Sequence, residues 1–481
     1  MKSINMMNQS MIDEFEVEGL WYKPSTPEYK VHGKLLYSHK EATLNLFGSL
    51  NDDVNDLSGF NDTFRTFETI YGETLEGEFV TLFNIHQTSS VARFSGYDSE
   101  SYVFNFFIVG GHFANHDELV FNEACFNSTY LESFMNEKTF SVEREMDNNN
   151  FRKSTSVAYN YPDIQEWHIA NLNASLKTDS VFTIKRSIKN VDMHYKARLK
   201  LVANTPQNYN WFKSRLYQLL DLFAIFTGEE HFFKELIFKS TNKEDSQEIS
   251  YKIFFNQKDF KERKSLNRIE SILLSEIHEN FSDYLNNWYQ LYDELESIYN
   301  LYINTKFNGT YENWKFLNYT RILEGYHRLR FTDSTYCEPS DYIKIKESIH
   351  EYVDTNLLDL NPELKKNIKN AVSYSYEYSF VKRLTEIAKD IDPLISQKIF
   401  KNNKDLKGFM YKVKETRNKM THPQAHTSGV FEGINLYYAN VRLSALIHSL
   451  ILKDMGLPEE FIADKLFYLY YHLGTAKQKL N

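Results

Sequence analysis

At 481 residues and 42% hydrophobic side chains, the chain is long enough and apolar enough for two or three cores of ordinary domain size. Its net charge of −10 excludes a protein that coats nucleic acid through a general positive field, because phosphate neutralisation dominates that kind of affinity. Two widely separated cysteines, Cys125 and Cys337, with no Cys-x-x-Cys spacing, exclude a disulfide framework and a zinc knuckle and fit a reducing cytosol.

The N-terminal stretch MKSINMMNQSMIDEFEVEG lacks the apolar run of a signal peptide, and no segment reaches the ~20 apolar residues of a membrane span. A cytoplasmic chain with no membrane partner is the expectation. YKVHGKLLYS and ATLNLFGSL then alternate around a short polar turn, followed by EFVTLFNIHQ, SYVFNFFIVGG, VFTIKRSI and YKARLKLVA. Such alternation marks half-buried antiparallel strands. In WFKSRLYQLLDLFAIFTG, Phe212, Leu216, Leu219, Leu220 and Phe223 share one helical stripe, which Gly228 can end from the left-handed conformation. ELIFK and SYKIFF read as a hairpin that closes this region near residue 260.

Beyond 260 the period becomes helical. Phe281, Leu285, Trp288, Tyr292, Leu295, Tyr299 and Tyr302 repeat at spacings of four and three, the mark of one long amphipathic helix. Further helices are expected at 312–330, 340–354, 363–389, 405–422, 430–455 and 459–473, with Pro339, Pro362, Pro393, Pro423 and Pro458 between them. The expected fold class is α+β: a β-rich N-terminal domain over 1–260 and an all-α bundle over 261–481.

The segment DLKGFMYKVKETRNKMTHP carries the sharpest chemical signal. Leu406, Phe409, Met410 and Val413 define a buried stripe, and Arg417 follows four residues after Val413. A guanidinium there needs a carboxylate, a neighbouring subunit or a phosphate that its fork can grip. His422 lies about 140° further around a regular helix. Pro423 disfavours the α conformation at the residue before it, so the imidazole can turn towards the Arg417 face. Histidine takes and gives protons near neutral pH. Residues 398–419 also hold eight basic side chains against Asp405 and Glu415, so Lys412, Lys414 and Lys419 are candidate RNA contacts in an otherwise acidic chain. The plainer reading is a solvated basic helix whose arginine pairs with a bundle carboxylate and whose histidine caps the helix.

Other candidates are weaker. His112 and His116 in GGHFANHDE, or His422 with His426, have four-residue spacings suited to a metal, but neither lies in a His-Glu-x-x-His helix. His448 in LSALIHSLIL reads as a core residue, and Glu324, His327 and Arg328 as a helix face able to support a site.

The run RNKMTH, Arg417 to His422, resembles the R-(N/D)-x-x-x-H form of the HEPN motif, and the helices up to GLPEEFIADKL fit the close of such a domain. With GLWYKP and VHGKLLYS near the start and RILEGYHR in the helical half, the chain resembles the ApeA-type anti-phage HEPN proteins. The resemblance implies a metal-independent endoribonuclease with no cofactor. The 2′-hydroxyl would attack the adjacent phosphate and leave a 2′,3′-cyclic phosphate. His422 would be the proton-transfer residue, Arg417 the clamp on the phosphorane, and Asn418 would orient the pair. It further implies a homodimer or higher even-numbered oligomer, RNA as substrate with tRNA foremost, and a phage component as trigger, with sensing or restraint in the N-terminal domain. A silent HEPN binding module is the main alternative. A nucleotidyl transferase lacks support, since no Gly-rich loop or paired carboxylates are present.

Overall fold

The structure is a computed structural model that describes residues 4–50, 64–91, 98–148, 150–241, 247–258, 266–309, 311–422 and 429–480. The chain divides into two compact units, Met1–Arg268 with Ile272–Ser282, and Ile269–Ser271 with Asp283–Asn481. No helix among the described residues is long and apolar enough to cross a membrane.

The first unit is built on strands β1 (Phe15–Tyr22), β2 (Val31–Tyr37), β3 (Ala42–Leu46), β4 (Thr66–Thr74), β5 (Phe79–Val91), β6 (Ser99–Val103), β7 (Phe106–Val109) and β8 (Val120–Ser128). It continues with β9 (Phe140–Met146), β10 (Arg152–Tyr159), β11 (Glu166–Ile169), β12 (Ala174–Arg186), β13 (Val191–Asn208), β14 (Phe233–Thr241) and β15 (Glu248–Phe255). All pair antiparallel. The order β5-β4-β1-β2-β3-β6 closes on itself through a β5–β6 pairing, giving a six-stranded barrel. From β5 the sheet runs on through β7, β15, β14, β8, β13, β12 and β11.

The period-two pattern explains the barrel: Val17 and Trp21 of β1, Leu35 of β2 and Leu44 of β3 are buried, while their neighbours are more open. Two glycines make room for the Trp21 indole. A Cβ on Gly72 would lie 2.4 Å from that ring, and one on Gly33 3.1 Å from it and 2.6 Å from Leu46. The expected ELIFK and SYKIFF hairpin is β14–β15, paired from Ile237↔Lys252 to Thr241↔Glu248. SYVFNFFIVGG holds two strands rather than one, because β6 pairs with β3 and β5 while β7 pairs with β5 and β15.

After the short helix α1 (Leu131–Met135), α2 (Tyr209–Thr227) buries Phe212, Leu216, Leu219, Leu220 and Phe223 as its stripe predicts. It ends at Gly228, whose φ of 72° is the left-handed cap and whose N–H reaches the Ala224 carbonyl. The helix α3 (Leu274–Ile277) follows.

The second unit is helical: α4 (Phe281–Phe307), α5 (Glu312–Arg330), α6 (Pro339–Asn356), α7 (Pro362–Val372), α8 (Phe380–Asp390), α9 (Pro393–Ile399), α10 (Asn403–Thr421), α11 (Ile434–Asp454), α12 (Glu459–Leu469) and α13 (Leu473–Lys479). The apolar α11 is buried almost all round, packed by α5, α9, α12 and α13. α10 packs on α5 and α8. Two sequence expectations are corrected. The segment 363–389 is two helices, because Thr335 and Glu377 form a β-bridge that pulls the intervening turn out of helical conformation. The segment 459–473 breaks after Leu469, where Tyr470 leaves the helix and its hydroxyl meets Tyr302, Ser444 and His448.

Candidate active site on helix α10

Asn402 starts α10 by accepting hydrogen bonds from the Lys404 and Asp405 amides. Leu406, Phe409, Met410, Val413 and Thr416 form its buried face. Thr416 accepts from the Phe431 amide at 2.9 Å, tying the start of the next described segment to the helix. The buried stripe closes with Thr416, so Arg417 stands at its edge with its side chain 29% exposed.

There the Arg417 guanidinium meets the Glu324 carboxylate of α5 at 2.9 Å and lies 4.4 Å above the Phe380 ring of α8. Carboxylate and aromatic face hold it from two sides. A half-exposed ion pair is worth about 0–1 kcal/mol and an exposed cation–π contact about 0.5–1 kcal/mol. These are weak enough that a phosphate able to accept two charge-assisted bonds can draw the fork outward.

His422 is the C-terminal cap of α10, with φ −130° and ψ 82°, and its amide still donates to the Asn418 carbonyl at 2.8 Å. The residue is exposed, and the imidazole has no hydrogen bond or ion pair among the described residues. Departure from helical ψ before Pro423 is what the sequence predicts, although Pro423 and His426 lie outside the described residues. Asn418 is partly exposed one residue after Arg417. Of the candidate lysines, Lys414 pairs with Glu415 at 2.9 Å and Lys419 with Glu432 at 2.6 Å, while Lys412 lies 6.0 Å from the Phe431 ring centre.

Behind Arg417 runs a charge network that the sequence only hints at. Arg328 lies 3.7 Å from Glu324 and 2.7 Å from Glu377, and Glu377 also meets the buried Arg383 at 3.3 Å. Arg383 donates to His327 Nδ1 at 3.3 Å, and His327 Nε2 faces Glu386 at 2.8 Å. An arginine can only donate, so Nδ1 carries the lone pair and Nε2 the proton: the ring is a neutral donor to Glu386. Burial holds His327 below its ordinary pKa against the opposing pull of Glu386. Glu324, His327 and Arg328 were legible as a supporting face. Glu377, Phe380, Arg383 and Glu386 were not, since they lie far along the chain from that face and only the fold brings them there.

The remaining candidates separate. His112 stacks on Tyr71 and bonds the Gly72 carbonyl, whereas His116 meets Asn84, and no cluster of three metal-ligating side chains occurs among the described residues. His448 is buried and bonds Tyr470. Cys125 and Cys337 are free thiols, and burial raises the Cys125 pKa to about 12.

Comparison with known families matches residues 16–288 to ApeA N-terminal domain 1 and residues 317–461, which include Arg417 and His422, to the Apea-like HEPN domain. Neither curated proteins nor solved structures yield a match. A strand-rich first unit, a helical second unit with the R-N-x-x-x-H run at the end of α10, and two consecutive domain matches covering most of the chain together make this protein a member of the ApeA-type HEPN family.

Proposed function

We propose that the chain is a metal-independent endoribonuclease of an anti-phage abortive-infection system, acting on host RNA and most readily on tRNA. The observation that carries the reading is the end of α10: a loosely held, half-exposed guanidinium with an exposed imidazole one turn on, inside a HEPN domain. Arg417 would swing from Glu324 to the phosphate as negative charge grows on the phosphorane. His422 would move the proton at the 2′-oxygen or at the departing 5′-oxygen, and Asn418 would orient the pair. The 2′-oxygen bonds to phosphorus, the bond to the 5′-oxygen breaks, and a 2′,3′-cyclic phosphate and a 5′-hydroxyl remain.

One chain offers a single such pair, whereas the reaction needs a base and an acid. HEPN domains usually pair, and a homodimer would supply both groups. Lys412, Lys414 and Lys419 would add phosphate contacts, the last two by exchanging Glu415 and Glu432 for RNA. The N-terminal unit is read as sensor or restraint responding to a phage component. The Arg417–Glu324 pair also favours a second reading, a silent HEPN binding module whose arginine is satisfied within the fold.

Incubation of purified protein with total tRNA separates the two. Cleavage that persists in EDTA, by the protein alone or once extract of phage-infected cells is added, is expected of the nuclease, and binding without cleavage under both conditions would establish the silent module.

A further inference from the structure

The start of α10, the end of the helix away from Arg417, lies between two cavities of the helical unit that share Lys401 and Asn402. The larger, about 910 Å³, is lined by Lys389, Lys398, Lys401, Lys407 and Lys477, and no carboxylate is among its described lining residues. The smaller, about 430 Å³, presents Lys401, Lys404, Lys412 and Arg442 against a single acid, Asp405. That acid is already engaged, taking 2.7 Å and 2.9 Å hydrogen bonds from Arg442 and from the Lys401 amide. In a chain of net charge −10 this is a local excess of positive charge lying in concave surface rather than spread over a convex helix face.

Arg442 adds an independent observation. Its side chain is wholly buried, clasped between Phe400 and Phe409 at 4.6 Å and 4.3 Å, and its Nε is a buried donor with no partner among the described residues. A cation at the wall of a cavity with a donor left over suits an anion. Of the lysines, Lys398 reaches Asp464 at 3.3 Å and Lys401 the Gln478 carbonyl at 2.9 Å, while Lys404 and Lys407 are exposed.

We infer that these two cavities form a phosphate-binding groove that grips the RNA backbone several nucleotides away from the bond cleaved. Thirteen residues of helix separate Lys404 from Arg417, roughly 20 Å at 1.5 Å per residue. The groove therefore holds substrate at a distance while Arg417 and His422 do the chemistry. This rests on the nuclease reading and gives it a substrate-holding surface distinct from Lys414 and Lys419, whose charges already face carboxylates. The ligand chemistry is the phosphate diester of an RNA chain, and a free mononucleotide is the competing source of the same group.

The test measures binding of labelled tRNA by the full chain carrying His422→Ala, at a series of salt concentrations, with and without Lys401→Gln, Lys404→Gln and Lys407→Gln together. Counterion release predicts that the triple variant flattens the slope of log K against log salt by about two, at roughly 0.7 for each phosphate no longer neutralised, and weakens binding at least about tenfold near physiological salt. Lys414→Gln with Lys419→Gln should change the slope less. Millimolar 5′-AMP should not displace the tRNA. An unchanged slope in the triple variant overturns the groove, as does loss of 5′-AMP binding with tRNA binding intact. The same lysine substitutions in the chain with His422 restored keep the two readings apart. Unaltered slope with normal cleavage removes the groove alone, and a groove-dependent slope without any cleavage by wild type, with or without extract of phage-infected cells, removes the nuclease alone.

Discussion

Alanine at Arg417 or at His422 is expected to lower RNA cleavage by about 10²–10⁴-fold each, the range over which loss of a transition-state donor or of a proton-transfer group is felt. Folding should be nearly untouched. Arg417 contributes one half-exposed ion pair and one aromatic contact, about 0.5–2 kcal/mol together, and exposed His422 makes no side-chain bond among the described residues. Thermal denaturation and a salt titration of RNA binding should therefore show a folded chain that still binds. Lys at Arg417 would keep the charge and lose the fork, and should recover little activity. Near-wild-type cleavage by either alanine variant would remove the site from α10.

The second large effect concerns assembly. On the proposed reading, one His422 per chain supplies only one of the two proton-transfer groups, so the active site would form where two α10 ends face one another across a two-fold axis. An excess of His422→Ala chain mixed with wild type, under conditions that exchange subunits, should then suppress cleavage well below the value expected from dilution. Mixed dimers would keep both arginines and a single imidazole, and lose one of the two proton transfers. Activity proportional to the wild-type fraction, or a fully active monomer, would mean that His422 works alone or with a partner such as His426.

Much of this layout was legible because local periodicity and burial coincide. The stripe of α2, the long α4, the β14–β15 hairpin and the exit of His422 from α10 all follow from residues close together in sequence. Strands such as β9 and β10 were not, since every position of β9 is exposed, Arg144 interrupts the alternation of Phe140, Val142 and Met146, and the first half of β10 is polar. The β3–β6 pairing in the barrel, Thr43↔Val103 to Leu46↔Glu100, is non-local and no short window contains it. At the site, the need of Arg417 for a partner was readable, but the identity of Glu324 and Phe380 was not, since they come from α5 and α8. The basic run was visible as composition. Its division into carboxylate-paired Lys414 and Lys419 at one end and a carboxylate-poor concavity at the other required the fold.

The chemistry of the fragment ends distinguishes 2′-oxygen attack from metal-assisted hydrolysis. Wild-type protein and the His422→Ala chain are each incubated with tRNA in EDTA, and the termini of any fragments are identified by enzymatic end-labelling and mass spectrometry. On the proposed mechanism the wild type yields fragments with 2′,3′-cyclic phosphate and 5′-hydroxyl ends, and the variant almost none. Fragments bearing 3′-hydroxyl and 5′-phosphate ends, or cleavage that stops in EDTA, would contradict it, because neither can arise from a 2′-oxygen attack assisted only by Arg417 and His422.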